Sequence, residues 1–207
     1  YNIALLDRRA AGEIMDANPD IATWAVGGHS LGGVAASSAA GGTDTRIVGL
    51  LLWASYPNGS IASRSGLDVT SVSGSEDGLA TPAKIEASAA DLPPDTEFVV
   101  VKGATHAYFG DYGTQSGDGT ATISRADAQD QIQAASLALL EGLAPARRRV
   151  DGAGRGEGGG PTGGTARMQR CSTFAASSAC FGFERAAASA APDAQSTSGG
   201  TASLSAS

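Results

Sequence analysis

Cysteine and histidine are scarce in this 207-residue chain, with two of each. Both cysteines, Cys171 and Cys180, lie in the C-terminal part, so no disulfide framework holds the rest together. Two histidines, no clustered cysteines and scattered carboxylates leave no spacing suited to a metal site, and no metal or cofactor is expected. Long hydrophobic runs are missing as well. The apolar runs are strand-length, and none approaches the roughly 20 residues of a transmembrane helix. Basic residues are short over 1–145, where 7 Lys and Arg stand against 17 Asp and Glu, a net of −10. Phosphates need positive charge for attraction, so nucleic acid is excluded as an expected partner. Residues 146–207 reverse the balance, with 7 basic against 4 acidic. That stretch is Gly, Ala, Ser, Thr and Arg without apolar periodicity, and it reads as a disordered tail or linker. The chain opens at Tyr1, without Met, inside what reads as structure, so an upstream part is expected.

What is present before residue 146 alternates between strand and helix. Ala11, Ile14 and Met15 recur at helical spacing between Arg8 and Asn18, and Pro19 follows. Ile21 to Val26 reads as a strand, Leu31 to Ala40 as a helix ended by Gly41-Gly42, and Arg46 to Trp53 as a strand buried on both faces. Asp68 to Ser73 is a weaker strand. Thr81-Pro82 signals a hydroxyl-capped helix running to about Ala90. Glu97 to Val101 is a strand, and Lys102 to Thr120 a long loop. Ser124 opens a last helix, with Asp127 placed to support its cap and Ile132, Leu137, Leu139 and Leu140 as its apolar side. This order predicts an α/β fold with a mostly parallel sheet.

The segment Gly27-Gly28-His29-Ser30-Leu31-Gly32-Gly33 lies between the first of these strands and its helix. Within it, Gly28 to Gly32 fits G-x-S-x-G. In a strand–turn–helix context that pattern forms a sharp turn presenting a serine at a helix N-terminus, with glycine where a Cβ would strike neighbouring backbone. A phosphate-binding loop does not fit, because no Lys-Ser or Lys-Thr follows the glycines. A serine hydroxyl needs a base, and the base an orienting acid. His29 is inside the turn and directed away from the serine oxygen, which leaves His106, in the loop after Glu97–Val101, as the base. The acid belongs after the preceding strand. Asp77, in Gly74-Ser75-Glu76-Asp77-Gly78, is the first choice, with Glu76 and Asp111 as rivals. Trp53, Tyr56, Tyr108 and Phe109 are candidates to line an acyl pocket.

Over residues 1–143 the chain resembles the α/β-hydrolase superfamily. Gly-Gly-His-Ser-Leu-Gly-Gly, Gly-Ser-Glu-Asp-Gly-Leu-Ala-Thr-Pro and Thr-His-Ala-Tyr-Phe-Gly-Asp-Tyr-Gly are similar to motifs of the bacterial α/β-hydrolase fold-5 group. The resemblance implies Ser30 as nucleophile, Asp77 as acid, His106 as base, the Leu31 backbone N–H as one oxyanion donor and Gly28 and Gly32 as elbow glycines. It implies a small-molecule carboxylic ester as substrate and an acyl-enzyme mechanism. Residues 1–145 would then be a partial α/β-hydrolase domain lacking its early strands, with 146–207 as the tail. The second oxyanion donor and the strand beside Ile21–Val26 would both lie upstream, leaving that strand as an open edge. One lost donor costs about 2.7–4 kcal/mol of transition-state stabilisation, so the chain as it stands is expected to be weak or inactive. The competing expectation is a non-catalytic module that keeps the elbow only as architecture.

Overall fold

Four short segments stack in parallel and set the architecture, the middle ones buried on both faces. They are β1 (Ile21–His29), β2 (Ile47–Trp53), β3 (Asp68–Gly74) and β4 (Glu97–Val101), hydrogen-bonded in the order β4-β3-β2-β1. The computed structural model of the chain describes residues 10–111, 113–143, 166–170 and 178–184. Parallel neighbours need crossover connections; helices supply two of them, and a loop joins β2 to β3. The helix α1 (Ala10–Asp16) precedes β1, α2 (Leu31–Ala40) joins β1 to β2, and α3 (Pro82–Ala87) with a short 3₁₀ helix at Ser88–Asp91 joins β3 to β4. The helix α4 (Arg125–Leu143) follows β4 and packs back on β2, β3 and β4.

The alternation of side chains along β2 divides the core in two. Leu50 and Leu52 join Met15, Trp24, Val26, Ala36 and Ala40 on the α1–α2 side. Leu51 joins Val72, Val101, Ile132 and Leu139 on the α4 side. Both layers exclude water almost completely, which is why β2 reads as one continuous apolar run. On α4 the buried stripe is Ala128, Ile132, Ser136 and Leu139, at helical spacing. Leu137, expected on that face, is 55% exposed because it lies about 200° round the helix from Leu139.

Three local expectations change on inspection. Thr81 makes no side-chain cap bond to α3; the helix starts at Pro82 without one. Gly41 ends α2 in a right-handed conformation, φ −73°, so its glycine serves space rather than handedness: a Cβ there would come within 2.6 Å of Ile61 Cγ2. The loop after β4 holds a 3₁₀ turn at His106–Phe109. At the start of the chain, Arg8 and Arg9 lie outside the described residues.

The residues read as a tail lie largely outside the described ones, and two segments of them are described as strands. β6 (Ser178–Glu184) pairs antiparallel with β1, from Ile21↔Glu184 to Gly28↔Ser178, and β5 (Ala166–Arg170) pairs antiparallel with β6. The edge of β1 expected to be open is therefore occupied. A row of unpaired N–H and C=O groups accepts a strand of either direction, and an antiparallel strand needs no crossover.

Candidate active site

Ser30 sits at the junction of β1 and α2 with φ 53° and ψ −121°, a left-handed backbone rare for a residue with a side chain. The surroundings hold it there. Its N–H donates to Trp53 O (3.0 Å), and its carbonyl accepts from Gly33 N (3.0 Å), Val34 N (3.2 Å) and Ser55 Oγ (2.7 Å). A Cβ on Gly28 would lie 2.6 Å from Gly32 O and 2.7 Å from Gly33 N, and this is backbone that cannot rotate aside. Gly33 is as tightly enclosed, with Ser55 Oγ at 2.5 Å from the position a Cβ would take. Leu31 opens α2, where backbone N–H groups have no acceptor within the helix, and its side chain is 52% exposed.

Asp77 follows the end of β3 and its side chain is fully buried, with both carboxylate oxygens engaged. Leu79 N (2.8 Å) and Ala80 N (2.7 Å) donate to Oδ1, and Oδ2 lies 2.8 Å from His106 Nδ1. A carboxylate only accepts, so Nδ1 carries the hydrogen and donates it, and Nε2 is left as the second ring nitrogen. His106 is 3% exposed and stands at the start of the 3₁₀ turn after β4. Glu76 and Asp111, the rival acids, are both exposed, and Glu76 accepts instead from Ser75 Oγ (3.0 Å). Ser30 and His106 line one cavity of about 140 Å³, together with Leu31, Tyr56, Leu79 and Ala80. A larger cavity of about 590 Å³ opens at the other end of the strands, among Arg64, Asp68, Glu97 and Leu139, and none of Ser30, Asp77 and His106 reaches it.

His29 is buried beside the site without lining its cavity. It is 2% accessible, with its ring centroid 4.5 Å from that of His106 and its plane nearly parallel to Phe109. Burial, reinforced by the neighbouring His106, pushes its pKa down to about 4, so it is neutral near pH 7. Of the aromatic candidates only Tyr56 borders the cavity. Phe109 is core, Tyr108 lies under the Arg125 guanidinium, and Trp53 donates its indole N–H to Ser136 Oγ (3.1 Å).

Two features of the site were not singled out from the sequence. Ala54, the residue after β2, has φ 45°, and Ser55 beside it braces the Ser30 carbonyl. Asp118 accepts backbone N–H bonds from both loops of the site, although the sequence around it, Gly117-Asp118-Gly119, reads only as a turn.

A parallel sheet with a strained serine on a strand–helix turn, and a buried Asp–His pair at the ends of two later strands, defines the α/β-hydrolase class. The model of the alpha/beta hydrolase family matches residues 1–130, and the chain belongs to that family. No curated protein matches it. Among solved structures it is similar to a CIB-like hydrolase from Thermoplasma acidophilum, at 16% identity and TM-score 0.49, covering 66% of this chain and 60% of that one. An alpha/beta hydrolase from the metagenome of sediments of the lagoon of Mar Chica, Morocco, is 17% identical at TM-score 0.43, with 51% and 62% covered. A thermophilic esterase of the Planctomycetes species Thermogutta terrifontis is 18% identical at TM-score 0.41, with 70% and 68% covered. The chain thus spans less than two thirds of the length of the first two.

Proposed function

We propose that this chain carries the catalytic centre of a serine hydrolase acting on small carboxylic esters. The observation that supports it most is the buried Asp77–His106 hydrogen bond, 2.8 Å long, whose imidazole borders the same cavity as Ser30. In this reading Ser30 Oγ bonds to the acyl carbon while its proton passes to His106 Nε2 and the carbonyl electron pair moves onto oxygen. The Leu31 N–H donates to that oxyanion. The ester C–O bond then breaks, the leaving alkoxide takes the proton from Nε2, and the acyl group remains on Ser30. Water attacks the acyl carbon, giving a proton to Nε2. Collapse of the second tetrahedral intermediate returns that proton to Ser30 Oγ and frees the carboxylic acid. Asp77 holds the ring through its Nδ1–H and stabilises the positive charge that develops there. A cavity of about 140 Å³ suits a short acyl group rather than a lipid chain.

Labelling with a fluorophosphonate, which reacts only with activated serines, tests the reading. The chain is expected to label, and Ser30→Ala and His106→Ala to abolish labelling while circular dichroism stays native. A folded chain that does not label, or that labels equally in Ser30→Ala, would sink it.

A further inference from the structure

Asp118 lies 41 residues along the chain from Asp77 and 12 from His106, yet its carboxylate joins the loops that carry both. His106 N–H (3.0 Å), Gly78 N–H (3.2 Å) and Gly119 N–H (2.8 Å) donate to Oδ1, and Ala107 N–H (2.9 Å) donates to Oδ2. His106 and Ala107 begin the 3₁₀ turn, where N–H groups lack acceptors within the turn, and Thr105 before them provides no side-chain cap. Asp118 supplies that cap from a distance. Gly78 is the residue after Asp77, so the same carboxylate ties the acid's loop to the base's own backbone. The packing admits little slack. A Cβ on Gly78 would run into Gly117 O and the Asp118 backbone, and one on Gly119 would run into Glu76 O. Burial alone would push the Asp118 carboxyl up, but the backbone N–H donors outweigh it and hold it below the ordinary carboxylate range. It is therefore an anion wherever the site would work.

We infer that Asp118 is a positioning residue of the hydrolase site, a carboxylate clamp that sets the Asp77–His106 geometry by binding backbone N–H groups on both loops. The inference rests on the hydrolase reading, since it assigns Asp118 to the same site. The loops are also joined nearer the strands, where Gly103 N–H donates to Ser75 Oγ (2.8 Å), Ser75 N–H to Val101 O (3.1 Å) and Glu76 N–H to Ala104 O (3.0 Å). All of these precede Asp77 and His106 in the chain, whereas Asp118 grips the residues at and after them. A misplacement of about 1 Å in such a constellation costs on the order of 100-fold in rate. Asp118→Ala is the discriminating substitution, because it removes both acceptor oxygens and so all four bonds. Asp118→Asn, with its amide oxygen in the place of Oδ1, would keep both loops bridged and lose only the bond from Ala107.

The experiment compares the 207-residue chain with Asp118→Ala, following the rate of fluorophosphonate labelling over a range of probe concentrations and the downfield proton resonance of the His106 Nδ1–H shared with Asp77. The variant is expected to lose about 100-fold in the maximal labelling rate, with little change in the concentration giving half that rate, and to lose or broaden the resonance while its circular dichroism stays native. Labelling within twofold of the parent and an unchanged resonance would overturn the inference. In the parent protein itself, the His106 and Ala107 amide hydrogens are expected to exchange as slowly as those of β3 and β4. Exchange at the rate of exposed Gly113 and Thr114 would overturn it even if the variant failed to fold. If the parent does not label, the hydrolase reading fails, and the resonance and the amide exchange still decide whether Asp118 clamps the two loops.

Discussion

At the scale of single residues, the site is set by a few side chains whose surroundings leave them no alternative. Gly28 was legible in the sequence because a strand–serine–helix turn has room for no Cβ there, and the crowding against Gly32 and Gly33 is what the pattern requires. The same pattern directs attention to Gly32, whereas the close approach of Ser55 falls on Gly33, one residue further on. That contact depends on where β2 ends, and no local pattern records it. His29 is the clearest case of burial altering a residue's chemistry. Its folded-state pKa of about 4 lies below the ordinary 6.5, so the unfolded chain binds the extra proton between those values. The stability this neutral ring permits is complete above about pH 6.5 and is lost as pH falls towards 4, by about 3 kcal/mol in total. Urea denaturation of the parent and of His29→Gln from pH 7 to pH 4 should therefore give a steeper loss in the parent. Parallel curves would show that His29 is not held neutral by the fold.

At the scale of elements, strand and helix order followed directly from apolar period and punctuation, but the helix caps divided. Ser124 and Asp127 bond reciprocally at the start of α4, with Ser124 Oγ donating to Asp127 Oδ2 at 2.7 Å and accepting from Asp127 N–H at 3.1 Å. Thr81 has the same residue chemistry before α3 and makes no such bond. The neighbouring turn is held instead by Asp77, whose Oδ1 takes the N–H groups of Leu79 and Ala80. Ser124→Ala is accordingly expected to lower stability by about 1 kcal/mol, and Thr81→Ala to change it by less than about 0.5 kcal/mol. Equal urea midpoints for the two variants would refute the distinction. The strand β4 shows the limit of apolar pattern as a guide to burial. Glu97–Val101 reads as the best strand in the chain, yet Phe98 and Val100 are 40% and 54% exposed because β4 is the last strand on its side of the sheet.

At the scale of the whole molecule, the decisive feature is which strand lies beside β1. β6 covers the edge nearest the serine turn along its length, from Ile21 to Gly28. A chain ending at residue 145 would present that edge to solvent and to other copies. It is expected to lose amide protection in β1 and to associate, read by hydrogen exchange and size-exclusion chromatography. Unchanged protection in a monomeric truncated chain would show that β6 does not hold the edge. Residues 146–207 are mostly Gly, Ala, Ser, Thr and Arg, and the alternation of Ala179, Phe181 and Phe183 is too short and too isolated to mark a partner, so the pairing of 178–184 with β1 was not readable from it. The sequence by itself determined the order of elements from α1 to α4, the parallel part of the sheet, the strained serine turn and the chain order Ser30, Asp77, His106. Each of these rests on local periodicity, local sterics or spacing along the chain. Only the tertiary structure decided that Asp77 rather than Glu76 or Asp111 lies beside His106, that Asp118 spans the two loops, and that β1 is flanked by β6. These are contacts between segments far apart in sequence, and they depend on the three-dimensional placement of loop ends, which no local pattern encodes.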